Sequence, residues 1–440
     1  MPGEPAADDG APPAVPPPGE ELRRPYIPAR LGAVLLIAVV AIVFAIGFLL
    51  LWAYLDRLIW SDPILSAGPW AMPALVLFFS LVVGLSRKYL HAPSVIHGGF
   101  VEAVRGDADP PDYRSFPGAF VSSLASLLSG AVIGPEGALG VLVSEISAFI
   151  RPRLRVPASI AAGYDLAALA SAFNGLIGSV LFTGVFATEL QAGRPRSALQ
   201  YLVWNLLAGA VGFIIFRFVG LLPFAQSIPF PPTGLTPVYV LVAVLCGVIG
   251  TAIAIGAGAW LQAVEAVMDR VLGERVVLRV LAAGALVAAV GLVFPDLLFS
   301  GESQIHGIIA DPARYGAALL LLMAVLKIGL FGVSIKAGYI GGPLFPILFS
   351  CTLVGLALNL LFPGVPVGVF VLCIEAGAFA VALGAPLTAI LTVALVGVAD
   401  QDMIVLLVLS VATALLLSAE AMKRIAARRP EEGAPTAGTR

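Results

Sequence analysis

One carboxylate stands inside a long apolar tract, Glu136 in Gly134-Pro135-Glu136-Gly137-Ala138. The Gly-Pro pair before it and the run from Ala138 to Ile150 after it predict the start of a helix, because Pro is preferred at the first helical position, where its missing N–H is no loss. Gly134 and Gly137 permit tight turns and close approach of backbone to a small ligand. A helix N-terminus carries unpaired N–H groups and about half a positive charge, so it attracts anions. Glu136 is itself an anion tethered at such a place. It occupies an anion site when ionised and vacates it when protonated or displaced. On a soluble helix the same residue would be a first-turn acid contributing roughly 0.3–1 kcal/mol. Inside a membrane an ionisable residue is a functional candidate by default, so the surroundings decide.

Those surroundings are apolar. Of 440 residues, 59% are hydrophobic and 12% charged, against about 25% charged in ordinary globular domains. The chain reads as an all-α integral membrane protein that crosses the bilayer several times. A net charge of −2 without a basic patch gives no case for nucleic acid. Cys246, Cys351 and Cys373 lie in apolar segments at unrelated spacings, which suggests neither a disulfide framework nor a metal site, and no cofactor is expected. They read as small buried hydrophobes. Residues 1–29, rich in Pro, Ala, Gly and acids, are expected to form a disordered cytoplasmic tail. They are not read as a signal peptide, because the first apolar run begins near Leu31 and is too long for one. A short cytoplasmic tail is expected over 423–440, with no soluble regulatory domain after the last apolar segment.

Spans are predicted over 31–55 and 69–85, and longer ones return at 198–220, 236–268 and 277–294. Between and after these, apolar segments are short and broken by Gly or Pro: 94–105, 116–133, 136–150, 161–171 and 173–190, then 303–310, 315–333, 342–361, 366–383, 386–399 and 402–420. Irregular backbone at membrane depth is tolerated only where protein buries it or a polar cavity hydrates it. Paired broken segments in two halves point to a transporter site. The halves echo each other: Ser94-Val95-Ile96-His97-Gly98 returns as Ser303-Gln304-Ile305-His306-Gly307, and Gly134-Pro135-Glu136-Gly137 finds Gly341-Gly342-Pro343-Leu344-Phe345-Pro346. The offsets are 303 − 94 = 209 and 342 − 134 = 208. The expected organisation is therefore two inverted-topology repeats of broken and tilted helices, 30–222 and 223–422. Arg23, Arg24 and Arg30 precede the membrane region, and Lys423, Arg424, Arg428 and Arg429 follow it. By the positive-inside tendency both termini face the cytoplasm, across the cell membrane.

Together these motifs resemble the CLC family of chloride channels and proton/chloride antiporters. In that family the sequences GSGIP, GxEGP and GGxFxP start helices that meet at a central anion site, with an AFN segment between the second and third. Here Gly134-Pro135-Glu136-Gly137-Ala138 matches GxEGP except at its last residue, and Ala172-Phe173-Asn174-Gly175 matches AFN. Gly341-Gly342-Pro343-Leu344-Phe345-Pro346 keeps the glycines and final proline of GGxFxP, and Ala385-Pro386-Leu387-Thr388 resembles a late family segment. Ser94 stands before Ile96 as the family serine does, without the flanking glycines and proline. The resemblance covers about residues 31–420. It implies that Glu136 is the gating glutamate and that Ser94, Gly134, Pro135, Gly137, Gly342, Leu344 and Phe345 surround the anion. The Ser94 hydroxyl and the N–H groups of Leu344 and Phe345 would be the donors. Such partial dipoles hold an anion less tightly than a Lys or Arg would, as conduction requires. It also implies a homodimer with one pore per subunit.

The departures bear on proton coupling. Pro343 removes one N–H that would otherwise face the anion. The place of the antiporters' internal proton-relay glutamate, counted from Phe173-Asn174, falls at Phe186. Glu189, one turn on, reads either as a displaced relay or as a helix-end carboxylate. The family's anion-coordinating tyrosine comes from a helix after the last long span, and no obvious equivalent is read here. The expectation moves toward a chloride channel or uncoupled transporter, with a proton-coupled antiporter as the alternative. His97 and His306 occupy matching repeat positions and read as pH sensors or as local hydrogen-bonding groups. Glu145 reads as a buried partner, an interface residue or part of the transport path. Lys327 and Lys336 either raise local anion concentration or extend to the membrane surface. An intramembrane enzyme using Glu136 with a histidine lacks any HExxH, GxSxG or paired-Asp signature. An organic-solute transporter on another inverted-repeat fold would need more polar side chains at mid-membrane.

Overall fold

The computed structural model describes residues 28–93, 113–156, 161–190, 195–220 and 228–428; Ser94 and His97 lie outside them. The described residues form helices joined by turns and three 3-10 segments, with a single isolated β-bridge. The first half contains α1 (Pro28–Ile59), α2 (Asp62–Leu65), α3 (Ala71–Tyr89), α4 (Phe116–Leu128), α5 (Pro135–Ile150), α6 (Ala161–Ile177), α7 (Phe182–Leu190) and α8 (Pro195–Phe218). The second contains α9 (Pro237–Leu272), α10 (Val276–Val293), α11 (Glu302–Ala310), α12 (Gly316–Ala337), α13 (Leu344–Leu361), α14 (Val367–Leu383), α15 (Pro386–Val396) and α16 (Gln401–Arg428). Among the described residues, seven helices are long and apolar enough to cross a membrane.

Local chemistry sets the ends. Pro opens α1, α5, α8, α9 and α15, where its missing N–H costs nothing. Thr236 caps α9, its Oγ1 accepting the Tyr239 N–H at 3.2 Å. Gly338 stops α12 at φ +108° and Gly384 stops α14 at φ +65°, a backbone region open to glycine at little cost. One boundary differs from expectation. A break was expected between 171 and 173, but α6 runs on to Ile177, because Ala172-Phe173-Asn174 contains no helix breaker. The turn waits for Gly178, at φ +77°.

Burial follows the logic of a bilayer. Val325 is 70% and Leu416 75% exposed, while Ser122, Ser123 and Asn174 are at 0%. Large aliphatics face outward and polar groups inward, as lipid requires and water does not. The halves interpenetrate: α3 packs on α10, and the buried Tyr339 hydroxyl meets Ser80 Oγ at 2.6 Å and donates to Val280 O at 3.1 Å along that seam.

Lys327 departs from both readings made of it, for it neither reaches the surface nor lies open to an anion path. It is fully buried in α12, donating to the carbonyls of Leu297, Leu298 and Phe299 at 3.1, 3.3 and 2.9 Å, with its ammonium 4.4 Å from the Phe349 ring centroid. The ammonium replaces water for three carbonyls at the end of a 3-10 turn. Lys327→Met leaves those carbonyls without a donor, so it should lower stability by about 2–4 kcal/mol, read as the midpoint of thermal unfolding in detergent. An unchanged midpoint would mean the cradle contributes nothing.

Candidate anion site

Gly134 and Gly342 meet as an antiparallel bridge. Gly134 N–H donates to Gly342 O at 2.9 Å, and Gly342 N–H donates to Gly134 O at 2.8 Å. This clasp aligns the N-termini of α5 and α13, the two positions that echo each other in the sequence. Gly134 is the N-cap of α5 in extended backbone and Pro135 its first residue. The absence of side chains is obligatory at Gly137 and Gly341. A Cβ on Gly137 would strike the carbonyl of Gly341, one on Gly341 would meet Ile133 Cβ at 2.5 Å, and ones on Gly134 and Gly342 would strike the Glu136 carboxyl group.

Glu136, in the first turn of α5, turns away from its own helix axis and reaches α13. Its Oε1 accepts the Leu344 N–H at 2.8 Å, and the backbone of Phe345 and of Glu136 itself also acts on this carboxylate. The side chain is 3% exposed. Pro343 is the N-cap of α13 at φ −89°; having no N–H, it leaves Leu344 as the first donor, as expected from the sequence. The carboxylate therefore lies at a helix N-terminus that would otherwise present free donors to an anion. On the far side of the turn, Ile340 N–H donates to Ser126 Oγ at 3.0 Å, tying the 340–342 segment to α4.

The structure thus brings together Glu136 with Gly134, Pro135, Gly137, Gly342, Leu344 and Phe345. Ser94 falls outside the described residues. Glu189 is held at a different helix end: its oxygens accept the N–H groups of Leu387 (2.5 Å) and Thr388 (2.8 Å) and the Thr388 hydroxyl (2.6 Å), at the start of α15. Phe186 is fully buried against Phe182, ring centroids 5.9 Å apart. His306 is exposed on α11, and Lys336 pairs with Glu265 at 2.7 Å.

The residues 98–419 match the family model described as voltage gated chloride channel. The chain belongs to that family. The ion-transport protein YfeO of Escherichia fergusonii is 26% identical to this chain over 366 residues, covering 80% of this chain and 82% of its own. Three solved structures share the fold. A slow cyanobacterial chloride/proton antiporter matches with TM-score 0.71 at 20% identity, over 92% of this chain and 99% of its own. A CLC-type fluoride/proton antiporter gives 0.63 at 19%, over 89% and 94%. A eukaryotic CLC transporter gives 0.64 at 15%, over 89% and 72%.

Sequence reasoning passed over two polar groups. Asn174 joins α6 to α7: its Oδ1 accepts from Thr183 N (3.0 Å) and Thr183 Oγ1 (2.9 Å), and its Nδ2 donates to Val180 O (2.6 Å). The signal was present in the family's AFN segment, but that segment says nothing of what the amide holds. Asn174→Ala removes three buried hydrogen bonds at about 1 kcal/mol each. It should therefore lower stability by about 2–3 kcal/mol in thermal unfolding; a loss below about 0.5 kcal/mol would mean the turn holds itself. Glu375, buried in α14 and 2.7 Å from Thr352 Oγ1, was legible as a lone acid in an apolar span and was not singled out. Among the described residues no group of three His, Cys, Asp or Glu side chains converges as metal ligands would.

Proposed function

We propose that the protein moves chloride or a similar small anion across the cell membrane, with Glu136 as the gate. The observation carrying this reading is the 2.8 Å bond from Leu344 N–H to the Glu136 carboxylate. A tethered anion sits on donors suited to a free one. Gly134, Pro135, Gly137, Gly342, Leu344 and Phe345 form the remaining wall, with Ser94 as the further donor. Protonation of Glu136, or competition by a permeant anion, opens the site. The test is efflux of chloride, and of fluoride in parallel, from liposomes carrying the purified chain with a pH electrode in the same cuvette. Retention of both anions would remove the proposal.

Exchange of anions for protons is the second reading. It is supported by two structural neighbours, a chloride/proton and a fluoride/proton antiporter, and by the burial of the one titratable group at the site. Glu189 serves better as a cap for α15 than as a relay. Glu189→Gln should cost about 1 kcal/mol through the weakened helix-end interaction and leave the ratio of protons to anions unchanged; a changed ratio would restore it as a relay. We further propose two repeats, 30–222 and 223–422, both termini in the cytoplasm, and a homodimer. Outward aliphatics such as Val203 and Leu207 on α8 and Leu387 on α15 suit lipid or a second copy.

A further inference from the structure

The buried face of α4 is lined with serine. Ser115 at its N-cap, then Ser122, Ser126 and Ser129, are spaced by seven, four and three residues. At about 100° per residue all four fall within a narrow stripe. That stripe points inward, since Phe116 and Phe120 flank it against Phe44 and Val121 faces outward at 37% exposure. One end meets a second acid of α5: Ser115 Oγ donates to Glu145 Oε1 at 2.6 Å, and Glu145 is 3% exposed. The other end meets the clasp, where Ser126 Oγ holds Ile340 N–H beside Gly341 and Gly342. Midway, the Oγ atoms of Ser122 and Ser123 are wholly buried without a hydrogen-bond partner among the described residues. A hydroxyl on a helix ordinarily bonds the carbonyl four residues back. A buried one left unsatisfied costs about 1–3 kcal/mol, unless something small and polar visits it.

We infer that Glu145 and the serines of α4 form a proton track that loads Glu136 from the end of α5 marked by Arg151, Arg153 and Arg155. The inference rests on the anion-gate reading of Glu136. Ser122, Ser126 and Ser129, three or four positions apart, have Cβ atoms roughly 5–6 Å apart, a gap one bridging water spans, while the step from Ser115 to Ser122, about 10 Å of helix rise, takes a short file of waters. The step balances at every position. Glu145 releases its proton to the first hydroxyl or water, each member accepts one proton and passes on its own, and the Glu136 carboxylate becomes a carboxylic acid. Glu136 then no longer holds the Leu344 N–H as an anion, which frees that donor. The protons come from the aqueous side, and no other reactant is needed.

Among the described residues, the elements packed against α5 carry few other titratable groups. The 3-10 turn beside it carries Tyr113 and Arg114, and α6 carries Tyr164 and Asp165, the latter 3.1 Å from Arg151. On α1 the described titratable groups, Tyr54, Asp56 and Arg57, lie only in its last turns. No charged residue lies on α4.

The experiment is simultaneous chloride and proton flux from liposomes carrying the full chain, compared with Glu145→Gln, Ser122→Ala and Ser122→Thr. Glu145→Gln and Ser122→Ala should each lower the number of protons moved per anion by about tenfold, while Ser122→Thr, which keeps the hydroxyl, holds the original ratio. If Glu145→Gln elutes as aggregate, the Ser122 pair decides. An unchanged ratio in Ser122→Ala overturns the track, as does an equal loss in Ser122→Thr. Anion flux from the unaltered chain with no proton movement also overturns it and leaves the anion-gate reading standing. No anion flux at all removes that reading and the track with it.

Discussion

Glu136→Gln should make anion movement independent of pH and tighten chloride binding at the start of α13 by about ten- to a hundredfold. In the unaltered protein a free anion must displace a carboxylate that already holds the Leu344 N–H at 2.8 Å. A hydrogen bond to a charged group is worth about 1.5–3 kcal/mol, against about 0.5–1.5 kcal/mol for a neutral one. The amide matches the carboxyl in shape but brings no charge to the helix terminus, so the competitor is removed and the wall remains. The sign in pH follows from the same competition. Flux through the unaltered chain rises as acid converts Glu136 to its neutral form, and flux through the variant is flat. Chloride titration calorimetry and efflux at several pH values read both effects. A variant that keeps the original pH profile would show that another group gates the site.

Gly137→Ala and Gly341→Ala should both be strongly damaging single-methyl changes. An added Cβ at 137 meets the backbone of Gly341, and one at 341 meets the branched Cβ of Ile133 at 2.5 Å. Neither neighbour is a flexible tip that can swing aside. Overpacking a tight core typically costs 1–3 kcal/mol; with backbone as the obstacle a loss of about 3 kcal/mol or more is expected. The bridge that aligns α5 with α13 should open. Thermal unfolding and gel filtration in detergent report the loss, and Gly307→Ala, whose Cβ has open space around it, is the matched control. Equal behaviour of the three variants would mean the clasp yields without cost.

The fold was readable because a membrane imposes simple grammar. The uninterrupted spans were placed within a few residues, and the Gly-Pro and Gly-Gly punctuation marked where α5 and α13 begin. The pairing of Gly134 with Gly342 was implied by an offset of 208 positions, but hydrogen bonding between them was not, since a repeat gives correspondence and not contact. Glu136 was legible as an ionisable residue in an apolar tract. Its partner Leu344 came from the resemblance, because nothing in a leucine's side chain announces that its N–H is wanted. Lys327 was misread because a lysine's role depends on whether its ammonium finds carbonyls, and the three it finds lie 28–30 positions earlier. The break expected between 171 and 173 was misplaced because Ala172-Phe173-Asn174 holds no helix breaker, and the helix runs on to Ile177 before turning at Gly178.

The two-residue clasp also sets a timetable for synthesis. Its second strand residue leaves the ribosome 342 − 134 = 208 residues after the first. At roughly 5–20 residues per second, Gly134 and the Glu136 carboxylate wait about 10–40 s before Gly342 and Leu344 exist to receive them. Through that interval the nascent first half holds an unpaired strand edge and a buried-type acid at a translocon or in lipid. The candidate anion site is therefore completed only after most of the chain has been made, when the second half packs back onto the first.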